Sequence, residues 1–210
     1  MQIAIIGTGN VGSALGKRWA AAGHDILFGV RDAATQRVTS AVAAAGARAR
    51  AVSVGEAAQA ARVVVLATPF SGTEAAIAAC GNLAGKIVVD CTNPLAPNLD
   101  GLTIGHSDSA GEAVARWAKG AKVIKALNTT GSGNMLNPRY GNEALSMFMC
   151  GDDTDAKKLV TGLIADLGFE PVDAGGLTQA RYLEPLAMLW ISMAYRYGNG
   201  PNFGFRVVRR

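Results

Sequence analysis

The 210-residue sequence contains little histidine and cysteine. Its histidines are His24 and His106, and its cysteines, Cys80, Cys91 and Cys150, lie far apart in apolar surroundings. Two isolated histidines argue against a histidine metal site. Three separated cysteines form neither a disulfide framework nor a metal-binding motif. We therefore expect reduced core cysteines, a cytoplasmic protein and no bound metal.

Long apolar runs and clusters of basic residues are also missing. The most apolar late run, Leu183–Ala194, is shorter than the roughly 18 residues that a membrane-spanning helix needs. Met1 leads directly into the first predicted strand, so we expect no signal peptide. The net charge is +4, but the basic residues are scattered except for Arg206, Arg209 and Arg210. The sequence therefore predicts no membrane and no nucleic acid as partner, and a small anionic molecule suits its charge.

Short β-branched runs alternate with alanine-rich helical segments through residue 130. The predicted strands are apolar throughout, as expected for strands buried on both faces of a parallel sheet. They are Ile3–Ile6, Asp25–Phe28, Ala49–Val52, Val63–Ala67, Ile87–Asp90 and Val123–Leu127. The predicted helices between them are Ser13–Ala22, Ala33–Ala45, Gly55–Ala61, Thr73–Cys80 and Ala110–Lys119. This alternation predicts an α/β fold, with a doubly wound, Rossmann-type parallel sheet in residues 1–130.

The pattern changes after residue 130. The predicted elements are a loop, a strand, a helix, a strand and a long final helix, at Ser132–Glu143, Leu145–Cys150, Asp155–Leu167, Phe169–Asp173 and about Thr178–Tyr197. Pro185 predicts a kink or a restart within that final helix. We interpret residues 131–210 as a small C-terminal α/β extension packed on the sheet, which we expect to serve as the second-substrate and dimerisation region.

The end of the chain is rich in aromatic residues and methionine. These residues are Met188, Trp190, Met193, Tyr195, Tyr197, Phe203 and Phe205. Seven such side chains exceed what one small extension can bury, so we predict a homodimer in which the final helix and tail pack on the partner. The alternative is that all seven belong to the chain's own core.

Three glycines form the motif G-x-G-x-x-G directly after the first predicted strand. Gly7 permits a tight turn, Gly9 leaves room for a pyrophosphate, and Gly12 lets the helix approach the strand. The phosphates then lie at the positive end of the helix. A glycine-rich turn that binds nothing is the alternative, but strand, motif, helix and second strand follow in the required order. The cofactor-binding residues predicted in this turn are Gly7, Thr8, Gly9, Asn10, Val11 and Gly12.

The end of the second strand distinguishes the two dinucleotides. Arg31 lies 19 residues beyond Gly12, where NAD-binding sheets place a carboxylate and NADP-binding sheets an arginine. A guanidinium pairs bidentately with the 2′-phosphate, which a carboxylate would repel. We therefore predict NADP, with Arg37 and Thr8 adding to the contact. In the alternative register Asp32 binds the ribose and the cofactor is NAD.

Three further strand ends carry polar turns. Thr68-Pro69-Phe70, Thr92-Asn93-Pro94 and Asn128-Thr129 follow the fourth, fifth and sixth strands. Ligands bind outside the carboxyl ends of parallel strands, so we expect these turns to line the nucleotide cleft. Phe70 either packs on the nicotinamide or is a surface aromatic at a turn. The cofactor-binding residues predicted here are Thr68, Pro69, Phe70, Asn93, Pro94 and Asn128.

Six segments resemble the coenzyme F-420-dependent NADP oxidoreductase family: GTGNVG, GVR, VLATPF, KALNTT, CGDDTDAKK and DAGGLTQARYLEPLAMLW. The cytosolic domains of the mammalian metalloreductases called six-transmembrane epithelial antigens of the prostate are also similar. The resemblance covers nearly the whole chain. It implies an NADPH site at Gly7–Gly12 and Arg31, with nicotinamide packing at Thr68-Pro69-Phe70. It also implies a second coenzyme, a deazaflavin or a flavin, against the nicotinamide.

The chain departs from the deazaflavin enzymes at three positions. Val30 stands where they usually carry a serine, Phe70 where they carry a tryptophan, and Asn128 where they carry a histidine. KALNTT is more similar to the metalloreductase branch. These departures concern the hydride acceptor more than the use of NADPH.

The sequence offers no convincing acid–base pair. Lys125 is comparable to the catalytic lysine of hydroxyacid dehydrogenases, but it lies within a predicted strand. A ring coenzyme stabilises its own charge, so the protein needs chiefly to stack and align two rings. We therefore predict an NADP-dependent oxidoreductase that transfers a hydride between NADPH and a ring coenzyme, either coenzyme F-420 or a flavin, with no catalytic side chain. The alternatives are a non-enzymatic NADPH-binding redox sensor and an NADPH-dependent reductase of a small organic substrate.

Overall fold

One eight-stranded sheet runs through the structure, a computed structural model that describes residues 1–210. In chain order the strands are β1 (Gln2–Ile6), β2 (Asp25–Val30), β3 (Ala49–Ser53), β4 (Val63–Leu66), β5 (Ile87–Asp90), β6 (Lys122–Ala126), β7 (Arg139–Tyr140), β8 (Glu143–Ala144), β9 (Ser146–Gly151) and β10 (Glu170–Asp173). The order in the sheet is β10-β9-β6-β5-β4-β1-β2-β3, and β7 pairs with β8 in a separate hairpin. The parallel strands β1 to β6 thus have the predicted doubly wound order, reversing between β1 and β4.

Eight helices accompany the strands. They are α1 (Asn10–Ala21), α2 (Gln36–Ala45), α3 (Val54–Ala60), α4 (Thr73–Cys80), α5 (Ala110–Trp117), α6 (Ser132–Leu136), α7 (Thr154–Asp166) and α8 (Ala180–Ile191). None of them combines the length and the apolar character that crossing a bilayer requires.

The hydrophobic core is divided between the two faces of the sheet. Ile3 and Ile5 of β1 pack on one face with residues of α1, α2, α6 and α7. Ala4 and Ile6 pack on the other face with residues of α3, α4 and α5. Successive strand residues point to opposite faces, and helices cover both. The central strands β1, β4 and β5 are for that reason nearly continuous apolar runs. The predicted burial on both faces is wrong for β3, which lies at the edge of the sheet, carries Arg50 and is only partly buried.

The C-terminal extension lengthens the same sheet. Strand β9 pairs with β6 in the antiparallel direction, with Lys125 opposite Cys150, and β10 pairs with β9 in the parallel direction. The segment Ser132–Glu143, predicted as a loop, instead contains α6 and most of the β7–β8 hairpin. Gly141, with a φ of 60°, forms the tight turn of that hairpin, and such short elements carry little hydrophobic periodicity.

The final helix is continuous across Pro185. A 3₁₀ turn at Leu177–Gln179 leads into α8, and a π-helical turn at Ser192–Arg196 follows it. The predicted restart at Pro185 is therefore wrong. A proline removes one helical N–H, and here only the carbonyl of Arg181 loses its partner, so the packed helix continues through it.

The tail folds back on the chain's own extension. Trp190 is 2% exposed, stacks on Phe203 at a centroid distance of 5.4 Å, and donates a hydrogen bond from Nε1 to the Phe203 carbonyl. The backbone N–H of Ser146 donates to the Phe205 carbonyl at 3.0 Å. Part of the aromatic cluster thus belongs to the chain's own packing. Tyr195 and Tyr197 remain 60% and 74% exposed.

A buried ion cluster joins the extension to the parallel sheet. Lys125 of β6 is completely buried, and its Nζ lies 2.9 Å from Asp90 Oδ2 at the end of β5 and 2.9 Å from Glu184 Oε1 of α8. Nζ also donates to the Thr92 carbonyl at 2.6 Å. Burial opposes the charge on Lys125, but the two carboxylates outweigh it and hold the pKa of Lys125 above its ordinary value.

The same carboxylate of α8 caps helix α5. Glu184 accepts hydrogen bonds from the backbone N–H groups of Ala110 and Gly111, at 2.9 and 3.0 Å. One helical turn earlier, Arg181 forms two hydrogen bonds with Glu112, whose pKa it lowers. The two Glu184 contacts satisfy N–H groups that every helix leaves free at its start, and the Arg181–Glu112 pair joins the side chains of the two helices. Helix α8 therefore holds the beginning of α5 through two charged side chains.

We expect the substitution Lys125→Met to destabilise the fold strongly. It would leave two carboxylates buried without a cation, a change that typically costs about 3–5 kcal/mol. The measurement is the midpoint of urea unfolding, followed by circular dichroism. Lys122→Met on the same strand is the matched control, because Lys122 pairs with Asp153 at the surface and its loss should hardly move the midpoint. Equal midpoints for the two variants would contradict this role of the buried cluster.

Candidate functional site

The glycine turn has the geometry that a bound pyrophosphate requires. Gly7 has a φ of +111°, and a Cβ there would lie 2.6 Å from the Ala67 carbonyl oxygen. A Cβ on Gly12 would lie 2.0 Å from the Gly7 carbonyl oxygen. A Cβ on Gly9 would meet nothing within 4 Å, and no side chain caps the start of α1. The first N–H groups of α1 thus begin beside open space, which fits an anion at this helix end.

A cleft of about 420 Å³ lies between α1 and α2. Its polar lining comes from both helices and the glycine turn: Thr8, Asn10, Ser13, Gln36, Arg37 and Ser40. Thr8, Asn10 and Arg37, predicted from the sequence as cofactor-binding residues, are therefore brought together here. The cleft is open and polar, as a site for the adenosine end of a dinucleotide would be.

The end of β2 presents cationic groups without internal partners. Arg31 and Arg37 are both exposed, and neither forms an ion pair within the chain. Asp32 instead uses Oδ1 to accept a hydrogen bond from the Ala34 N–H at 2.9 Å, which shapes the turn into α2. Both guanidinium groups are therefore free to pair with an anion, whereas the Asp32 carboxylate has a local structural role. Arg37 lines the cleft between α1 and α2 and Arg31 does not, so their joint contact with one phosphate stays a prediction.

The turn after β4 is braced internally. Thr68 and Thr73 share a hydrogen bond of 3.0 Å between their hydroxyls, and Thr73 also donates to the Pro69 carbonyl. Phe70 is half-buried and packs against Trp117 of α5, with ring centroids 5.6 Å apart. This contact ties Phe70 to the face that carries α4 and α5. Stacking of Phe70 on a nicotinamide stays a prediction.

The turns after β5 and β6 are joined by an amide pair. Asn93 donates from Nδ2 to the Asn128 carbonyl at 2.9 Å, and Asn128 donates from Nδ2 to Asn93 Oδ1 at 3.0 Å. The Pro94 carbonyl accepts from Thr103 within the following loop. The structure therefore brings Asn93 and Asn128 together, as their positions at adjacent strand ends predict, and Pro94 begins the loop beside them.

Lys125 offers no proton to a ligand. All three hydrogens of its ammonium group are directed to protein oxygens, those of Asp90, Thr92 and Glu184. An ammonium group has three donors and no acceptor, so its capacity is filled. Lys125 therefore has no hydrogen left for a ligand at this edge. The Cys91 thiol nearby is buried, and burial raises its pKa.

The sequence analysis did not identify the charged residues that surround Lys125 and hold the start of α5. Asp90, Glu184 and Arg181 were assigned no role, although the last two lie three residues apart in the segment ARYLE. Two opposite charges at that spacing on an otherwise apolar helix are a signal of specific partners. Their partners, Glu112 and Lys125, are distant in the sequence and are brought close only by tertiary packing.

Comparison with known proteins agrees with this geometry. Residues 2–94 match the family described as "NADP oxidoreductase coenzyme F420-dependent". The "F420-dependent NADP reductase" of Methanothermobacter marburgensis is 30% identical over 207 residues, covering 92% of each chain. The rat "Metalloreductase STEAP3" is 29% identical over 192 residues, covering 90% of this chain and 37% of that protein.

A solved structure is similar over almost the full length. A protein from Arthrobacter sp. FB24, whose assigned name is that of an F420-dependent NADP-reductase, superimposes with a TM-score of 0.88. It is 33% identical, and the match covers 99% of both chains. Likeness at this identity and coverage, in sequence and in fold, extends well beyond the glycine motif. The chain belongs to the coenzyme F-420-dependent NADP oxidoreductase family.

Proposed function

We propose that this NADP-dependent oxidoreductase transfers a hydride between NADPH and a ring coenzyme, either the deazaflavin F-420 or a flavin. Membership of the family makes the chain an oxidoreductase that uses NADP. The observation that carries the finer proposal is the edge formed by β4, β5 and β6. It offers hydroxyls, amides and a phenyl ring, and its one ammonium group is sealed by two carboxylates.

Such an edge suits an acceptor that needs no proton from the protein. When bound, NADPH supplies the hydride, and a flavin or deazaflavin ring delocalises the charge that it receives. The protein then has to hold two flat rings in contact and exclude water between them. Reduction of an imine or ketone would instead call for a proton donor beside the reacting atom. At the ends of β5 and β6 the buried hydroxyl of Thr92 has no partner in the protein, but an alcohol is a much weaker acid than the histidine, lysine or carboxyl group that usually fills this role.

The proposed cofactor contacts follow the cleft. The uncapped start of α1 would hold the pyrophosphate beside Gly9, and Arg31, Arg37 and Thr8 would contact the 2′-phosphate. A phosphate there places two negative charges near two free guanidinium groups, which favours NADPH over NADH. The nicotinamide half would lie over the ends of β4, β5 and β6.

The proposed assembly is a homodimer formed through α8 and the residues after it. Tyr182 and Leu189 lie seven residues apart, on one face of α8, and are 69% and 52% exposed. Tyr195 and Tyr197 continue the exposed apolar surface beyond the helix. Large apolar side chains exposed together mark an interaction surface, and a second copy would cover it. The three free, buried cysteines support a reducing compartment, and we propose the cytoplasm.

A panel of acceptors tests the proposed reaction. We expect steady oxidation of NADPH, followed at 340 nm, with F-420 or with flavins, and none with cyclic imines or ketones. The matched control is Gly9→Val: Gly9 has an ordinary φ of −68° and open space around it, so the variant should fold normally and lose NADPH binding. The proposal would be contradicted if the protein reduced only imines, or if Gly9→Val still oxidised NADPH with F-420 or flavins.

The Arg31→Ala substitution tests the cofactor preference. A hydrogen bond to a charged group is worth about 1.5–3 kcal/mol, so NADPH should bind roughly 10- to 150-fold more weakly. NADH lacks the phosphate and should be almost unaffected. Arg31→Asp should weaken NADPH further through repulsion. The measurement is the Kd of both cofactors by fluorescence titration.

Asp32→Ala is the control for the register of that site. Because Asp32 only shapes the turn, its loss should change NADH binding little and leave NADPH preferred. If wild type instead prefers NADH and Asp32→Ala removes that preference, the register is off by one residue and the cofactor is NAD.

The mass in solution tests the dimer. At micromolar concentration we expect twice the chain mass of 21.6 kDa by light scattering. The double substitution Tyr182→Lys and Leu189→Lys places charge in the proposed interface and should give monomers. Arg62→Glu, at an exposed position just ahead of β4 and outside the proposed interface, is the control that should remain dimeric. A monomeric wild type would rule the interface out.

A further inference from the structure

A buried oxygen at the end of β6 has no partner in the protein. Asn128 is 4% exposed, and its Oδ1 accepts no hydrogen bond, although the rest of the side chain is fully engaged. Most buried polar atoms are hydrogen-bonded, and an unpartnered one in a native fold requires an explanation. The position of Asn128 beside the cofactor edge points to a ligand.

The orientation of this amide is fixed by its neighbours. Both hydrogens of Asn128 Nδ2 are donated, one to Asn93 Oδ1 at 3.0 Å and one to the Leu183 carbonyl at 3.2 Å. Rotating the amide by half a turn would place its oxygen against two other acceptors, so only one orientation is compatible with the contacts. Asn128 therefore presents an acceptor, and a ligand that reaches it must bring an N–H or O–H donor.

The backbone that carries Asn128 is held in an unusual conformation. Leu127 has a φ of 62°, in the left-handed region that residues with a side chain rarely adopt, and it is completely buried. Such conformations persist where the surrounding structure enforces them, often at binding and catalytic sites. Here the turn at Leu127 ends β6 and directs Asn128 toward Asn93 of the neighbouring strand end.

We propose that Asn128 Oδ1 accepts a hydrogen bond from the carboxamide –NH₂ of the nicotinamide. The proposal rests on the assignment of the cleft to NADP made above. In a doubly wound sheet the half formed by β4, β5 and β6 takes the nicotinamide end of the dinucleotide. The carboxamide is the outermost group at that end, and because protein covers Oδ1 in this structure, the side chains over it must move aside when the carboxamide binds. Asn128 would thus fix the rotation of the carboxamide and the ring plane with it.

Two cofactor analogues test the contact in the wild-type protein. The 3-acetylpyridine analogue of NADP⁺ has a methyl group in place of –NH₂, and the thionicotinamide analogue keeps –NH₂. We expect the acetylpyridine analogue to bind about 5- to 150-fold more weakly than NADP⁺, because the buried oxygen stays unpartnered. The thionicotinamide analogue should bind about as tightly as NADP⁺. Equal affinities for NADP⁺ and the acetylpyridine analogue would overturn the proposal without any variant.

Asn128→Ala and Asn134→Ala then separate a direct contact from a general loss of structure. Asn134 is also a buried asparagine, 4% exposed, but its oxygen accepts from the Tyr140 hydroxyl and its amide donates to the Phe203 carbonyl. In Asn128→Ala the preference for NADP⁺ over the acetylpyridine analogue should collapse, and in Asn134→Ala it should persist. A preference unchanged in Asn128→Ala, or lost in both variants, would overturn the contact. A wild type that fails to bind NADP⁺ at all would overturn the proposed function instead, and the contact with it.

Discussion

The buried ammonium of Lys125 is the contact on which the cofactor edge depends. It joins β5 through Asp90, the following turn through the Thr92 carbonyl, and α8 through Glu184. A cation buried with two carboxylates has little freedom to move, because every displacement leaves a charge without a partner. The hydrogen bond from Lys125 to the Thr92 carbonyl consequently fixes the position of the turn Thr92-Asn93-Pro94. This turn then positions Asn93, which pairs with Asn128.

The N-termini of α1 and α5 both carry free N–H groups, but the protein caps only one of them with an acidic side chain. Each helix has free N–H groups at its beginning and a partial positive charge there. At α5 the protein fills this position with its own carboxylate, Glu184, and adds the pair of Arg181 and Glu112. At α1 glycines keep side chains away and no cap is provided. The fold thus leaves the start of α1 without a side-chain cap, as the proposed cofactor site requires, and uses the start of α5 to fasten its C-terminal extension.

The parts of this structure set by local chemistry could be predicted from the sequence. Continuous apolar runs gave β1 to β6 because parallel strands are buried on both faces, and the glycine spacing gave the turn into α1. The direction in which β9 pairs with β6 could not be predicted, because a strand shows the same sequence pattern whether it pairs in the parallel or the antiparallel direction. The pairing of Lys125 with Glu184 could not be predicted either, because these two residues lie 59 positions apart in the sequence. The lysine appeared only as a polar residue inside an apolar strand.

The charge distribution along the cleft would account for both the proposed cofactor preference and the proposed chemistry. In the proposed binding mode the unpaired charges of Arg31 and Arg37 lie at the adenosine end, where they would distinguish a phosphate from a hydroxyl. At the ends of β4, β5 and β6 the turn side chains are neutral, and the buried charge of Lys125 is paired with the two carboxylates of Asp90 and Glu184. Hydride transfer leaves one ring more positive and the other more negative. A free cation within a few ångströms would stabilise one of these states in a low-dielectric site. In the proposed reaction the edge supplies no free cation, so the direction of transfer would be left to the intrinsic potentials of the two coenzymes and to their concentrations.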